Sequence, residues 1–179
     1  LLTPWAWWLS YGLAAFALAF AASAAPWRSW LADTERRAVW VASLAILAAV
    51  WSLHANFVPG LSQRFLLITA VTLLHGWALT IVGATGVLAV LCLLGVADWA
   101  SFGPDLLCTA IVPALFAARL HESVHRRLPR NYFVYFFVSV FLGSALAWNI
   151  AALTRAGLLA LSGQPALTAE HAEDYLALL

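Results

Sequence analysis

The most recognisable chemical spacing belongs to His121, Glu122 and His125, which form an H-E-x-x-H sequence. On a helix this spacing puts two imidazoles on one face, where they can hold zinc while the glutamate acts as a general base. A zinc protease also needs a third ligand, and no suitable side chain lies in the matching half of another predicted span. Polar residues are also expected at a membrane boundary. We therefore keep an intramembrane metalloprotease as a remote alternative, with no catalytic residue assigned and His121 and His125 as weak metal candidates.

A second group of polar residues falls inside an apolar run. Thr69, Thr72, His75 and Thr80 lie within about 140° of one face if the run is a single helix. Polar groups in hydrocarbon are costly, so such a stripe is a candidate polar path. In the alternative, the threonines bond back to carbonyls of their own helix and His75 finds one polar neighbour.

A third group flanks the turn at residues 58–63. His54, Asn56 and Arg64 could form a site at the outer face of the membrane. Arg64 is a fixed cation that would repel a divalent metal ion there. Interfacial anchoring is the alternative for these three residues.

A cluster of cations follows the H-E-x-x-H sequence. Arg126, Arg127 and Arg130 are either an anchor that sets the topology or a docking surface for a cytoplasmic partner.

Composition determines the protein class. Of 179 residues, 64% are apolar and 9% are charged, against about 25% charged in soluble domains. A water-soluble core of this length could not bury so many apolar side chains, so we predict an all-α, polytopic transmembrane bundle. A net charge of +1 argues against a nucleic-acid partner. Cys92 and Cys108 lie in apolar runs and are interpreted as packing residues, and no cofactor is predicted.

The apolar runs predict a single transmembrane domain over residues 1–179 with six crossings. The predicted spans are about 5–25, 38–57, 65–82, 84–97, 104–120 and 132–153, and residues 165–179 begin a further segment. The run from Phe65 to Ala97 is divided at residues 83–86, where two glycines fall. The sequence begins at Leu1 and contains no Met, so we expect it to be part of a longer protein.

The arginines set the expected orientation. Arg28, Arg36 and Arg37 share one loop, and Arg119 to Arg130 contain the other cluster. The positive-inside rule puts both in the cytoplasm, so an even number of crossings must separate them. We predict an inner-membrane protein with its N-terminus outside.

Two stretches resemble a known family. They are residues 59–74, which contain PGLSQRFL followed by TAVTLL, and residues 126–135, RRLPRNYFVY. Both are similar to the bacterial predicted permeases related to the membrane substrate-binding subunit of energy-coupling-factor cobalt/nickel transporters. The turn at residues 95–103 fits as well. The resemblance covers about residues 38–161 and implies about seven helices, an outward N-terminus, and partnership with a cytoplasmic ATPase and a coupling subunit.

The resemblance also implies a metal site. In the characterised relatives the ion is held by an N-terminal Met-His segment and by a histidine after the second span, and the matching position here is Arg64. A guanidinium has no lone pair to donate. We therefore predict that this chain binds no transition metal at that position and that its metal site is degenerate.

Two functional hypotheses remain open beside the protease. The first is a permease or substrate-binding membrane subunit powered by a separate ATPase. The second is a non-catalytic accessory or scaffold subunit of a larger respiratory, photosynthetic or oxidase complex. Both predict other membrane subunits and lipid as partners, and neither is an enzyme.

Overall fold

The computed structural model describes residues 4–52, 55–58, 61–63, 67–127 and 142–161. The predicted all-α fold is confirmed. The helices are α1 (Pro4–Ala24), α2 (Trp27–Ala32), α3 (Thr34–Ser52), α4 (Ile68–His75), α5 (Trp77–Leu93), α6 (Phe102–Leu106), α7 (Val112–Arg127) and α8 (Gly143–Leu161). A 3-10 turn at Trp99–Ser101 precedes α6, and a π-helical turn at Leu107–Ile111 joins α6 to α7. Residues Trp99–Arg126 thus form one continuous stretch, the long helix, of 28 residues.

A short hairpin accompanies the helices. Strand β1 (Ala55–Val58) pairs antiparallel with β2 (Leu61–Gln63), with Val58 opposite Leu61. The sequence between them is Pro59-Gly60, two residues that favour turns. No sheet was expected, so these two strands are an addition to the all-α prediction.

Helix α1 is apolar all round, as a lipid-facing helix requires. Only 17% of the residues from Trp7 to Ala24 are buried against the rest of the chain. Its buried positions, Ser10, Ala14 and Ala21, recur at helical spacing and have small side chains, which lets neighbouring helices approach closely. Helix α1 ends before Pro26, whose ring removes a backbone donor.

Aromatic and polar contacts fix the direction of the helices. Phe20 near the end of α1 stacks on Trp77 at the start of α5, with ring centroids 5.6 Å apart. At the other end of α1, Trp7 Nε1 donates to the Ala100 carbonyl at 2.8 Å. Helix α5 therefore runs antiparallel to α1.

The chain reverses direction at Gly76. His75, the last residue of α4, contacts Ser43 of α3, and Leu79 in the first turn of α5 accepts a hydrogen bond from Trp40. Helices α3 and α5 both start beside the end of α1. The chain between them must therefore run back to that end of the bundle before α5 begins. Gly76 has a φ of 83°, a left-handed conformation that favours glycine. The run from residue 65 to residue 97 is therefore divided at Gly76 into two helices, α4 and α5.

The break expected at residues 83–86 is wrong, because α5 is continuous from Trp77 to Leu93. Gly83 instead lets α3 approach α5. A Cβ at position 83 would lie 2.6 Å from a methyl carbon of Leu44 and 3.1 Å from the Trp40 ring. Gly83, which suggested a turn in the sequence, thus allows a close helix–helix contact instead.

Other predicted span boundaries also move. The span at 38–57 becomes α3, which starts at Thr34, where Asp33 Oδ1 caps the helix by accepting from the Arg36 amide at 3.1 Å. It ends at Ser52, before the hairpin. Helix α8 continues to Leu161, past the predicted end at 153, because residues 156–161 are mostly strong helix formers. Residues 128–141 and 165–179, which hold the start of the last span and the further segment, lie outside the described residues.

Within the described residues, two helical stretches are long and apolar enough to cross a membrane. They are Trp7–Ala24 and Trp99–Arg126, and the apolar helix Trp77–Leu93 is slightly shorter. They match the predicted spans at 5–25 and 104–120. The remaining crossings, and the total of six, stay predictions.

The two ends of the bundle both contain aromatic pairs but differ in their arginines. At the aromatic end, Trp7 and Tyr11 of α1 meet the start of the long helix, where Gly103 lies against the Tyr11 ring. The long helix runs away from this end for 28 residues, so Arg126 lies towards the opposite one. That opposite end also holds α2 and the start of α3, with Arg28 and Arg36. We call it the arginine end.

Candidate functional site

The predicted outer-face site falls mostly on residues whose structure is not described. His54 and Arg64 lie outside the described residues, and so does Arg130 of the cytoplasmic cluster. Asn56 lies in strand β1. The outer-face site and its metal-free character therefore stay predictions.

The polar stripe is divided by the reversal at Gly76. Thr69 and Thr72 are on α4 and are 1% and 3% exposed, so both face the protein interior. Thr80 is on α5, which corrects the expectation that all four polar residues share one helix. The Thr72 hydroxyl donates to the Ile68 carbonyl at 2.7 Å, and the Thr80 hydroxyl to the Gly76 carbonyl at 2.8 Å. These two bonds are the local alternative to a polar path.

His75 lies at the arginine end and not midway along a span. Its Nε2 is 3.1 Å from Ser43 Oγ, a hydrogen bond between α4 and α3. The ring borders a cleft of about 410 Å³. The cleft is also lined by Pro26, Asp33, Glu35, Arg36, Val39, Leu74 and Leu79. His75 therefore belongs to a mixed-charge cleft at one end of the bundle.

The H-E-x-x-H residues lie on the last two turns of α7, as the spacing predicts. The rings of His121 and His125 are adjacent, with centroids 4.2 Å apart and planes inclined by 46°. Glu122 makes an exposed ion pair of 2.5 Å with Arg126, one turn further along. Among the described residues no group of three or more His, Cys, Asp or Glu side chains could hold a metal ion. The part of the chain that the structure describes thus offers two imidazoles without the third ligand of a zinc protease.

Comparison with known proteins decides the family. Residues 1–178 match the family described as the cobalt uptake substrate-specific transmembrane region. The chain belongs to this cobalt uptake family. No curated protein and no solved structure matches it.

This membership confirms the resemblance given by residues 59–74 and 126–135. The cobalt uptake family consists of membrane components of transporters. The apolar helices of the bundle agree with a place in the membrane.

One buried acidic residue in this family member was missed by the sequence reasoning. Asp105, the second residue of the predicted span 104–120, lies in α6 and is 3% exposed. Ser101 Oγ donates to its Oδ2 at 3.0 Å, and the Thr109 hydroxyl donates to its carbonyl at 2.6 Å. The spacing of four residues between Ser101, Asp105 and Thr109 is the signal that could have placed them on one helix face.

Proposed function

We propose that this chain is the substrate-specific membrane subunit of an energy-coupling-factor transporter that takes up a divalent transition metal, cobalt or nickel. The family match over residues 1–178 is the observation that carries the proposal. An apolar helical bundle without a soluble domain in its described part agrees with it. The positive-inside rule favours the arginine end as the cytoplasmic one and an outward N-terminus, in the inner membrane.

The proposed partners are a cytoplasmic ATPase and a coupling membrane subunit. Arg126 and Arg127 at the end of α7, with Arg130, are candidates for docking because guanidinium groups suit carboxylates on a partner. Affinity purification of the full-length protein from its native membranes, with mass spectrometry, tests the assembly. We expect an ATPase and a coupling helix-bundle protein to co-purify. A respiratory, photosynthetic or oxidase core in their place would contradict the proposal.

At Arg64 we propose that no metal is bound. A guanidinium next to His54 would oppose any cation in a poorly hydrated site and cannot act as a ligand. The test is metal analysis of the purified full-length protein before and after His54→Gln. We expect His54→Gln to leave the metal content unchanged. Loss of stoichiometric cobalt, nickel or zinc on this substitution would overturn the proposal for Arg64.

A second candidate function is an accessory subunit that has kept the fold without transport. Arg64 in place of the implied histidine ligand is the observation that favours it. The same purification distinguishes the two, because an accessory subunit would follow a larger complex and not an ATPase.

A further inference from the structure

The imidazole pair on α7 is not explained by the proposed assembly or by protease chemistry. Glu122, which would be the general base of a zinc protease, instead forms an ion pair of 2.5 Å with Arg126. His121 is partly buried and His125 is exposed, and their rings are 4.2 Å apart between centroids. Two imidazoles at positions i and i+4 of a regular helix are able to bind one metal ion together.

We infer that His121 and His125 form a two-imidazole binding site for a divalent late transition metal at the arginine end of the bundle, with water as the remaining ligand. The choice of metal rests on the proposed function, whose cargo is cobalt or nickel. Imidazole nitrogen suits these ions, whereas magnesium and calcium prefer oxygen ligands.

The charges around the pair allow a cation to approach. At 100° per residue, His125 is about 40° from His121 around the helix axis. Arg119 and Arg126 are about 160° and 140° from His121, on the other side of α7. Glu122 also compensates the charge of Arg126. Arg119 and Arg126 therefore do not face His121.

Small residues precede the pair on the same face. Ala117, one turn before His121, is 3% exposed, and Ala118 lies about two turns before His125. Neither fills the space beside the rings with a long side chain. The pair thus sits where α7 leaves the packed bundle, partly sheltered at His121 and open to water at His125. With two protein ligands from the described part of the chain, the site would hold metal weakly enough to release it, which suits the cytoplasmic side of an uptake system.

The test is equilibrium binding of Ni²⁺, Co²⁺, Mn²⁺ and Mg²⁺ to the purified full chain in lipid nanodiscs. We expect His121→Gln and His125→Gln each to weaken Ni²⁺ binding at one site at least about tenfold, since even an outer-shell change costs that much. The affinity should fall from Ni²⁺ to Co²⁺ to Mn²⁺, with no competition from Mg²⁺. The control His75→Gln should leave this site unchanged, and circular dichroism checks that each variant keeps its helices.

Unchanged Ni²⁺ binding in both His121→Gln and His125→Gln would overturn the inference, as would an equal loss in His75→Gln. This experiment uses the chain alone, so it is separable from the proposed transport. Metal uptake together with Ni²⁺ binding that does not depend on the pair would overturn this inference and support the proposed transporter. Ni²⁺ binding that depends on the pair, without metal uptake in the presence of the ATPase and coupling subunit, would support the site and contradict the transporter.

Discussion

The aromatic end and the arginine end of the bundle are held together differently. At the aromatic end, hydrogen bonds join residues far apart in sequence, since Trp7 and Tyr11 donate to carbonyls of Ala100 and Trp99. At the arginine end, the bonds of His75 with Ser43 and of Trp40 with Leu79 are also long-range, but most polar bonds are local. Examples are Arg37 to Thr34 and Arg126 to Glu122. The aromatic end is thus tied by tertiary structure, while the arginine end keeps a cleft and charged groups near the surface.

This difference separates stability from function. Long-range bonds fix α1 on the long helix and resist separation of the two. Local bonds leave the arginine end able to meet water, metal or a partner without breaking the packing of the bundle. We therefore expect substitutions at the aromatic end to change the free energy of unfolding, and those at the arginine end to change binding and uptake.

The largest effect on stability is expected for Gly103→Ala. A Cβ there would lie 2.6 Å from Cδ2 and 2.8 Å from Cγ of the Tyr11 ring, so α1 or the ring must shift. We expect a loss of about 1–3 kcal/mol in the free energy of unfolding, measured by denaturant titration in detergent micelles. The control is Gly86→Ala in α5, where a Cβ meets nothing within 4 Å. If both variants gain stability, the close contact at the aromatic end does not exist.

A smaller effect is expected for Tyr11→Phe. The change removes the donor to the Trp99 carbonyl and leaves the ring in place. The expected loss is about 1 kcal/mol in the same titration, the net contribution of one hydrogen bond. Ser23→Ala is the control, because the Ser23 hydroxyl bonds only within α1, to the Phe20 carbonyl. An equal loss in Ser23→Ala would show that the hydrogen bond between α1 and the long helix adds no more stability than a bond within α1.

The smallest effect is expected at the arginine end, for Glu122→Gln. The ion pair with Arg126 is exposed, with side chains 55% and 75% accessible, and water screens it. We expect a loss of about 0.3–0.5 kcal/mol at low salt, which disappears in 1 M salt. A loss as large as that of Gly103→Ala would mean that both ends stabilise the bundle alike.

Much of the fold could be predicted because the bilayer imposes strong constraints on composition. The apolar runs that became α1 and the long helix, and the helical spacing of His121 and His125, follow from side-chain type alone. The position of the reversal could not be predicted in this way. Gly76, Gly83 and Gly86 are equivalent by residue type, and only contact with α3 shows that Gly83 packs while Gly76 turns.

The candidate site shows the same limit. The sequence indicated that Thr69, Thr72 and His75 are polar residues in an apolar run, and the burial of the two threonines agrees. The partner of His75 could not be predicted, because Ser43 lies 32 residues away and meets it only after the chain has reversed. Asp105 was missed because it lies at the predicted start of the 104–120 span, where a polar residue is expected at the membrane boundary, whereas α6 already begins at Phe102.

Metal uptake by cells that express this full-length protein together with an ATPase and a coupling subunit tests its proposed role as the substrate-specific subunit. We expect accumulation of Co²⁺ or Ni²⁺ above that of cells lacking only this chain, and loss of that accumulation when the ATPase is inactivated. Accumulation that is the same with and without this chain would contradict its role as the substrate-specific subunit.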